Sequence, residues 1–262
     1  MFWTSFKTRL ASLFSFTGER RGLNRALATG CGFVVIIVLI LGFYWSAEPA
    51  PFSVQQAASE RLTEIGNANV VGGTTTVTLI KVAQTLLEKP GGYLSNDALP
   101  PGVYLDNIPN WEFGVLVQVR DLSRAFRESF SRSQSQSTED PDLIIAEPNF
   151  HFNNDSWLFP PTESEYSEAI ASLESYLSRI SDPANAEAQF YARADNLVDW
   201  LLAVESRLGS MSQRLSASVR AQRVNTDMAG EPGAAQSTPA RAEVSLKTPW
   251  LEIDDIFYEA RG

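Results

Sequence analysis

Three carboxylate groups and one histidine are the side chains of this sequence whose types and spacing could do chemistry. Asp140 and Asp142 stand two residues apart, Asp155 follows Asn153 and Asn154, Glu252 precedes Asp254 and Asp255, and His151 is the one histidine. Paired carboxylates can act as acid and base in glycoside hydrolysis. The oxygen-rich "NFHFNNDSW", Asn149 to Trp157, could offer ligands to calcium. Each reading has a plainer rival. Asp140 is followed by Pro141, which is the pattern of a helix cap with proline at the first helical position. Glu252, Asp254 and Asp255 oppose an apolar stripe and so fit a solvated helix face. "NFHFNNDSW" lacks the spaced acidic loop of a calcium hand and reads as a tight turn. His151 has no acidic partner or nucleophile beside it in sequence. A zinc centre needs clustered His, Cys and carboxylate ligands, yet the one cysteine, Cys31, lies in an apolar run and the body has none. A disulfide within the body is therefore excluded. Gly72-Gly73 and Gly91-Gly92 lack the lysine and spacing of a phosphate cradle. The sequence thus assigns no catalytic, cofactor-binding or metal-ligating residue, and the chain does not read as an enzyme.

The elements that would position any site begin with a membrane segment. "ALATGCGFVVIIVLILGFYWSA", residues 26–47, carries no charge. About 20 apolar residues span a bilayer core as a helix. Tyr44 and Trp45 close the run, where amphipathic aromatics favour the interface. Residues 1–47 hold five basic side chains against Glu19, a charge of +4 out of a total of −10, so the remainder carries −14. The positive-inside rule then places residues 1–25 in the cytoplasm and residues 48–262 in the periplasm. The residues before Ala47 and Ala50 make poor cleavage sites, which favours an anchor over a signal peptide. An acidic body repels phosphate backbones, which argues against nucleic acid as a partner.

The body reads as all-α: a periplasmic helical bundle over residues 48–223, a flexible linker over 224–247 and an amphipathic C-terminal helix over 248–262 that docks on the domain. Residues 54–65 suggest a short helix. "GGTTTVTLIKVAQTLLEKPGG" suggests a helix bounded by glycines, with a strand over 75–80 as the alternative, because its start is β-branched. Val115, Val119, Leu122 and Phe126 form one stripe of a helix over 110–131. Thr162 and Glu165 form a capping box before a helix carrying Tyr166, Ile170, Leu173, Leu177 and Ile180. Asp182-Pro183 is expected to cap the following helix, in which Phe190, Ala194, Leu197, Leu201, Val204, Leu208, Met211 and Leu215 repeat by four and three, a coiled-coil-like seam ~38 Å long. These two helices are expected to pair antiparallel through the turn at 181–183. A homodimer through the heptad seam is the alternative.

Between the second and third body helices lies "GGYLSNDALPPGVYLDNIPNWEF", Gly91 to Phe113. Its prolines exclude one continuous helix and its aromatics exclude a plain linker. It reads as an ordered connector packed on the bundle, with a binding loop as the functional alternative. The candidate interaction residues are Tyr93, Tyr104 and Trp111 here, and Trp250, Ile253 and Phe257 in the C-terminal helix. The blocks "YLSNDALPPGVYLDNIPNWEFGVLVQVRDLSRAFR" and "TPWLEIDDIFYEARG" resemble a family of uncharacterised proteobacterial membrane-anchored proteins, domain of unknown function 2333. That resemblance covers most of the chain and implies a Gram-negative inner-membrane protein; no catalytic residue comes with it. The expected partners are the lipid bilayer and an unidentified envelope protein, in an interaction or scaffolding role. A periplasmic ligand-binding or sensor domain is the second reading, and a cell-wall hydrolase the third.

Overall fold

The computed structural model of the chain describes residues 20–67, 69–133, 137–185, 187–218 and 250–262. The described residues are helical, with no strand among them. Helix α1 runs Arg20–Trp45, and its stretch Leu27–Trp45 has mean hydropathy 2.5 with none of it buried inside the protein. One helix is therefore long and apolar enough to cross a membrane. The body follows as α2 (Val54–Ile65), α3 (Gly73–Glu88), a 3-10 turn (Gly102–Tyr104), α4 (Asn107–Ala125), a π-type turn (Phe126–Phe130), α5 (Pro141–Phe150), α6 (Thr162–Ser181), α7 (Ala194–Ser218) and α8 (Trp250–Arg261). The linker expected over 224–247 lies outside the described residues.

The core is built by α3, α4, α5 and α6. Helix α6 packs on α5 and α3, α4 packs on α3, α5 and α8, and α2 covers α3. Leu86, Leu116, Phe126, Phe150, Leu173 and Tyr176 are fully enclosed. The β-branched start of α3 is helical because Val77, Ile80, Ala83 and Leu86 bury as one face, and burial outweighs a weak local preference for strand. Its threonines adapt: Thr76 Oγ1 donates to the Gly72 carbonyl (2.9 Å) and Thr78 Oγ1 to that of Thr74 (2.7 Å). Asp140 caps α5 as expected, its side chain accepting from the Asp142 N–H (3.0 Å) with Pro141 at the helix start.

Three local expectations are corrected. Thr162 opens α6 without a capping box. Its buried hydroxyl donates to the Asn153 carbonyl (2.8 Å) and accepts from the Ser156 N–H (3.1 Å), so it ties down the preceding loop instead. Asp182 ends α6 rather than starting α7. Between α6 and α7, Phe190 stacks on Phe130 (5.0 Å between ring centroids) and meets Phe126 edge-on (5.4 Å). This detour prevents the α6–α7 hairpin. The apolar face of α6 is already taken by α5 and α3, and α7 is carried round to α4 and α8.

Candidate functional site

Gly91–Phe113, the stretch that reads as connector or binding loop, is anchored from beneath. Pro90, Gly91 and Gly92 end α3, and Gly91 and Gly92 both take left-handed backbone conformations (φ +89° and +71°). This turn aims the Lys89 ammonium at the Glu112 carboxylate on α4, and both side chains are wholly inaccessible to solvent. Glu112 Oε1 accepts from Lys89 Nζ (2.6 Å) and the Leu94 N–H (2.8 Å); Oε2 accepts from the Ser95 N–H (2.8 Å) and hydroxyl (2.5 Å). Lys89 also donates to the Gly92 carbonyl. Burial pushes the Glu112 carboxyl above the ordinary glutamate range, and the neighbouring Lys89 ammonium opposes that shift most strongly. A pair with no accessible surface cannot meet a substrate. It fixes the start of the loop.

The loop is then joined to a second one. Tyr93 donates its hydroxyl to the Asn154 carbonyl (2.9 Å) and sets its ring edge-on to Tyr166 (5.5 Å). Asn96 Nδ2 donates to the Ser156 carbonyl (2.9 Å) and to Glu163 (2.8 Å). Both loops expose apolar tips: Leu99, Val103 and Tyr104 on the first, Trp157, Leu158 and Phe159 on the second. The candidate aromatics of the loop are therefore not brought together. Tyr93 and Trp111 are buried, while Tyr104 is 77% exposed.

Trp111 instead lines a cleft of about 530 Å³ between residues 48–52, α3, α4 and the C-terminus. Val82, Val115 and Phe52 supply apolar walls, and the Arg261–Glu48 ion pair (2.9 Å) joins the two chain segments that border it. Helix α8 closes this side by lying directly on α4. Gly114 is a point of close approach: a Cβ built there would come 2.1 Å from the Glu259 carbonyl oxygen. Ile256 is buried, Asn110 Nδ2 donates to Asp255 (2.7 Å), and Arg214 on α7 pairs with Glu259 (2.6 Å). Of the candidates on α8, Ile253 is half-buried and Phe257 is exposed, with the Arg261 guanidinium 5.5 Å above its ring. The side chain of Trp250 lies outside the described residues.

Of the candidate carboxylates, Asp140 and Asp142 are engaged by an arginine and Asp255 by Asn110. Arg179 takes both Asp140 (2.5 Å) and Asp142. His151 Nδ1 sits 3.1 Å from Glu147, which also accepts from Arg127 (2.8 Å). No three His, Cys, Asp or Glu side chains are grouped to hold a metal ion among the described residues.

Helix α7 carries a stripe of exposed leucines. Leu197, Leu201, Leu208 and Leu215 are all exposed, with Leu201 at 48% and Leu208 at 53%. The face of α7 that packs on α4 and α8 is the neighbouring one. It carries the buried Asn196 and Met211, together with Arg207, whose guanidinium donates to Asp121 (2.7 Å), and Arg214. Sequence reasoning found this leucine stripe and missed Lys89 and Glu112. The signal for Glu112 was present: Ile108, Glu112, Val115 and Val119 share one four-three register, so a carboxylate sits in a core stripe.

A family model described as "Uncharacterized protein conserved in bacteria (DUF2333)" matches residues 19–262. No curated protein and no solved structure matches the chain.

Proposed function

The chain belongs to this bacterial family of uncharacterised proteins, and on that footing we propose that it is a single-pass inner-membrane protein whose periplasmic helical domain is an interaction or scaffolding module. The observation that carries the proposal is the run of half-exposed leucines on α7, Leu197, Leu201 and Leu208. Apolar stripes of this kind are sites of protein association, and a four-three register suits a facing helix. The facing helix belongs to an envelope protein or to a second copy of α7. Exchanging Leu201 and Leu208 together for glutamate separates these from a purely structural role. Because both side chains are already half in solvent, the melting temperature of the solubilised chain is expected to stay within the range of ordinary surface changes, about 0.5 kcal/mol. Cross-links formed in the cell from a photoreactive residue at position 197 are expected to vanish. A loss of several kcal/mol in stability with unchanged cross-links refutes the interaction face. Cross-links that join two copies identify the homodimer.

The orientation is supported by the +4 charge of residues 1–25, which precede the apolar stretch Leu27–Trp45. A periplasm-active reporter fused after Gly262 is expected to be active and a cytoplasm-active one silent; the opposite result reverses the topology.

A second reading is supported by the cleft beside Trp111. Its apolar walls and one ion pair fit a ligand-binding site better than a packed interior. Quenching of tryptophan fluorescence by an apolar ligand, lost in Trp111→Phe, would favour it.

A further inference from the structure

We infer that the exposed tips of the two joined loops, 99–104 and 157–159, are a second membrane contact, seated in the outer interface of the same bilayer that α1 crosses. This rests on the reading of Leu27–Trp45 as a membrane span. Three observations carry it. First, the loops begin at the membrane end of α1. Trp45 packs directly on Gly91, where a Cβ would meet its indole ring at 2.8 Å, and a Cβ on Gly42 would lie 3.4 Å from Pro101 Cβ. Gly42 lies three residues inside the end of the span, about 4.5 Å along a helix axis. The 99–104 tip is therefore level with the aromatic rim of the span rather than above it. Second, the side chains at the tips are the kind that partition there. Leu99 and Val103 are at least half exposed, as are Trp157 and Leu158, while Tyr104 and Phe159 reach 77% and 91%. Amphipathic aromatics and leucine favour the headgroup boundary. Third, the tips are held rather than loose. Glu112 grips Leu94 and Ser95, and Asn96 and Tyr93 hold the second loop to the first.

Charge decides which lipid surface fits. No lysine or arginine occurs between residues 90 and 119 or between 152 and 178. Electrostatic attraction to anionic headgroups is thus not what seats these loops. The exposed Asp106 and Asp155 leave the loops acidic, so contact depends on apolar insertion and is no stronger on anionic than on zwitterionic bilayers.

The test uses the full chain in vesicles of phosphatidylcholine carrying a nitroxide on the upper acyl chain. One cysteine at a time is labelled with an environment-sensitive fluorophore. Native Cys31 reports the span; with Cys31→Ser in place, Leu99→Cys, Tyr104→Cys and Phe159→Cys report the tips. Ser178→Cys, exposed near the far end of α6, reports solvent. The expected result is at least two-fold quenching at 31, 99, 104 and 159 on phosphatidylcholine, no quenching at 178, no loss in 0.5 M salt and no gain with anionic lipid added. Quenching at 31 with positions 99 and 104 matching 178 overturns the second contact and leaves the span standing. No quenching at 31 overturns the span and the contact with it. Quenching at 99 and 104 that appears only with anionic lipid overturns the apolar mechanism.

Discussion

Glu112→Leu is expected to destabilise the domain by about 3–5 kcal/mol, the usual cost of removing one partner of a buried ion pair. The wild-type carboxylate answers four donors in a site with no solvent: the Lys89 ammonium, the Leu94 and Ser95 N–H groups and the Ser95 hydroxyl. Leucine fills similar space and answers none of them. Lys89 is left with the Gly92 carbonyl, and two backbone donors lose their acceptor at about 1–3 kcal/mol each where water cannot replace it. Lys89→Met in the same chain removes the stranded charge, so the double variant is expected to recover part of the loss. It does not recover all of it, because the Leu94 and Ser95 N–H groups remain unanswered. Denaturant unfolding of the solubilised protein measures both variants against the parent. A change below ~1 kcal/mol for Glu112→Leu would mean that water reaches the site and that the pair is not the anchor of the loop. The same variant has a local signature: with the 89–95 turn released, proteolysis between residues 95 and 105 is expected to accelerate more than cleavage elsewhere.

This anchor also marks where sequence reading stopped. Elements with a local physical cause were legible: the uncharged run that becomes α1, the Asp140-Pro141 start of α5, and the four-three stripes of α4 and α6. What failed was partner choice. The stripe of α7 has the pattern of a buried seam, and pattern alone says that a face wants covering without saying what covers it. Pairing α6 with α7 required knowing that α5 and α3 already occupied α6, and that Phe190 would be drawn into the Phe126–Phe130 cluster. Both are long-range facts. The two halves of Gly91–Phe113 were equally indistinct. Tyr93 and Tyr104 are the same residue type in the same loop, yet one is packed on Tyr166 and the other projects from the domain. The difference arises from the turn at Gly91-Gly92 and from Glu112, a carboxylate 18 positions beyond Leu94.

Gly114→Ala tests the docking of α8 with an outcome whose sign is opposite under the two alternatives. In a helix exposed at this position, alanine in place of glycine stabilises by roughly 1 kcal/mol. In the structure Gly114 faces α8 at backbone distance: the new Cβ would stand 2.1 Å from the Glu259 carbonyl oxygen and 3.1 Å from Gly262 Cα. Neither atom is a flexible side-chain end, so the helices must part. Parting exposes Ile256, whose burial contributes about 1.5–3 kcal/mol, and breaks the Asn110–Asp255 hydrogen bond. The Arg214–Glu259 and Arg261–Glu48 pairs add little, because their arginines are half exposed. The loss exceeds the gain in helix preference, so a net destabilisation of about 1–2 kcal/mol is expected, together with faster proteolytic removal of residues 250–262. Gly114→Leu, with a side chain that cannot be accommodated by a small shift, is expected to cost more and to release the tail outright. If α8 is instead a peptide held out for another protein, Gly114 faces solvent. The alanine variant then melts higher than the parent and the tail is cleaved at an unchanged rate.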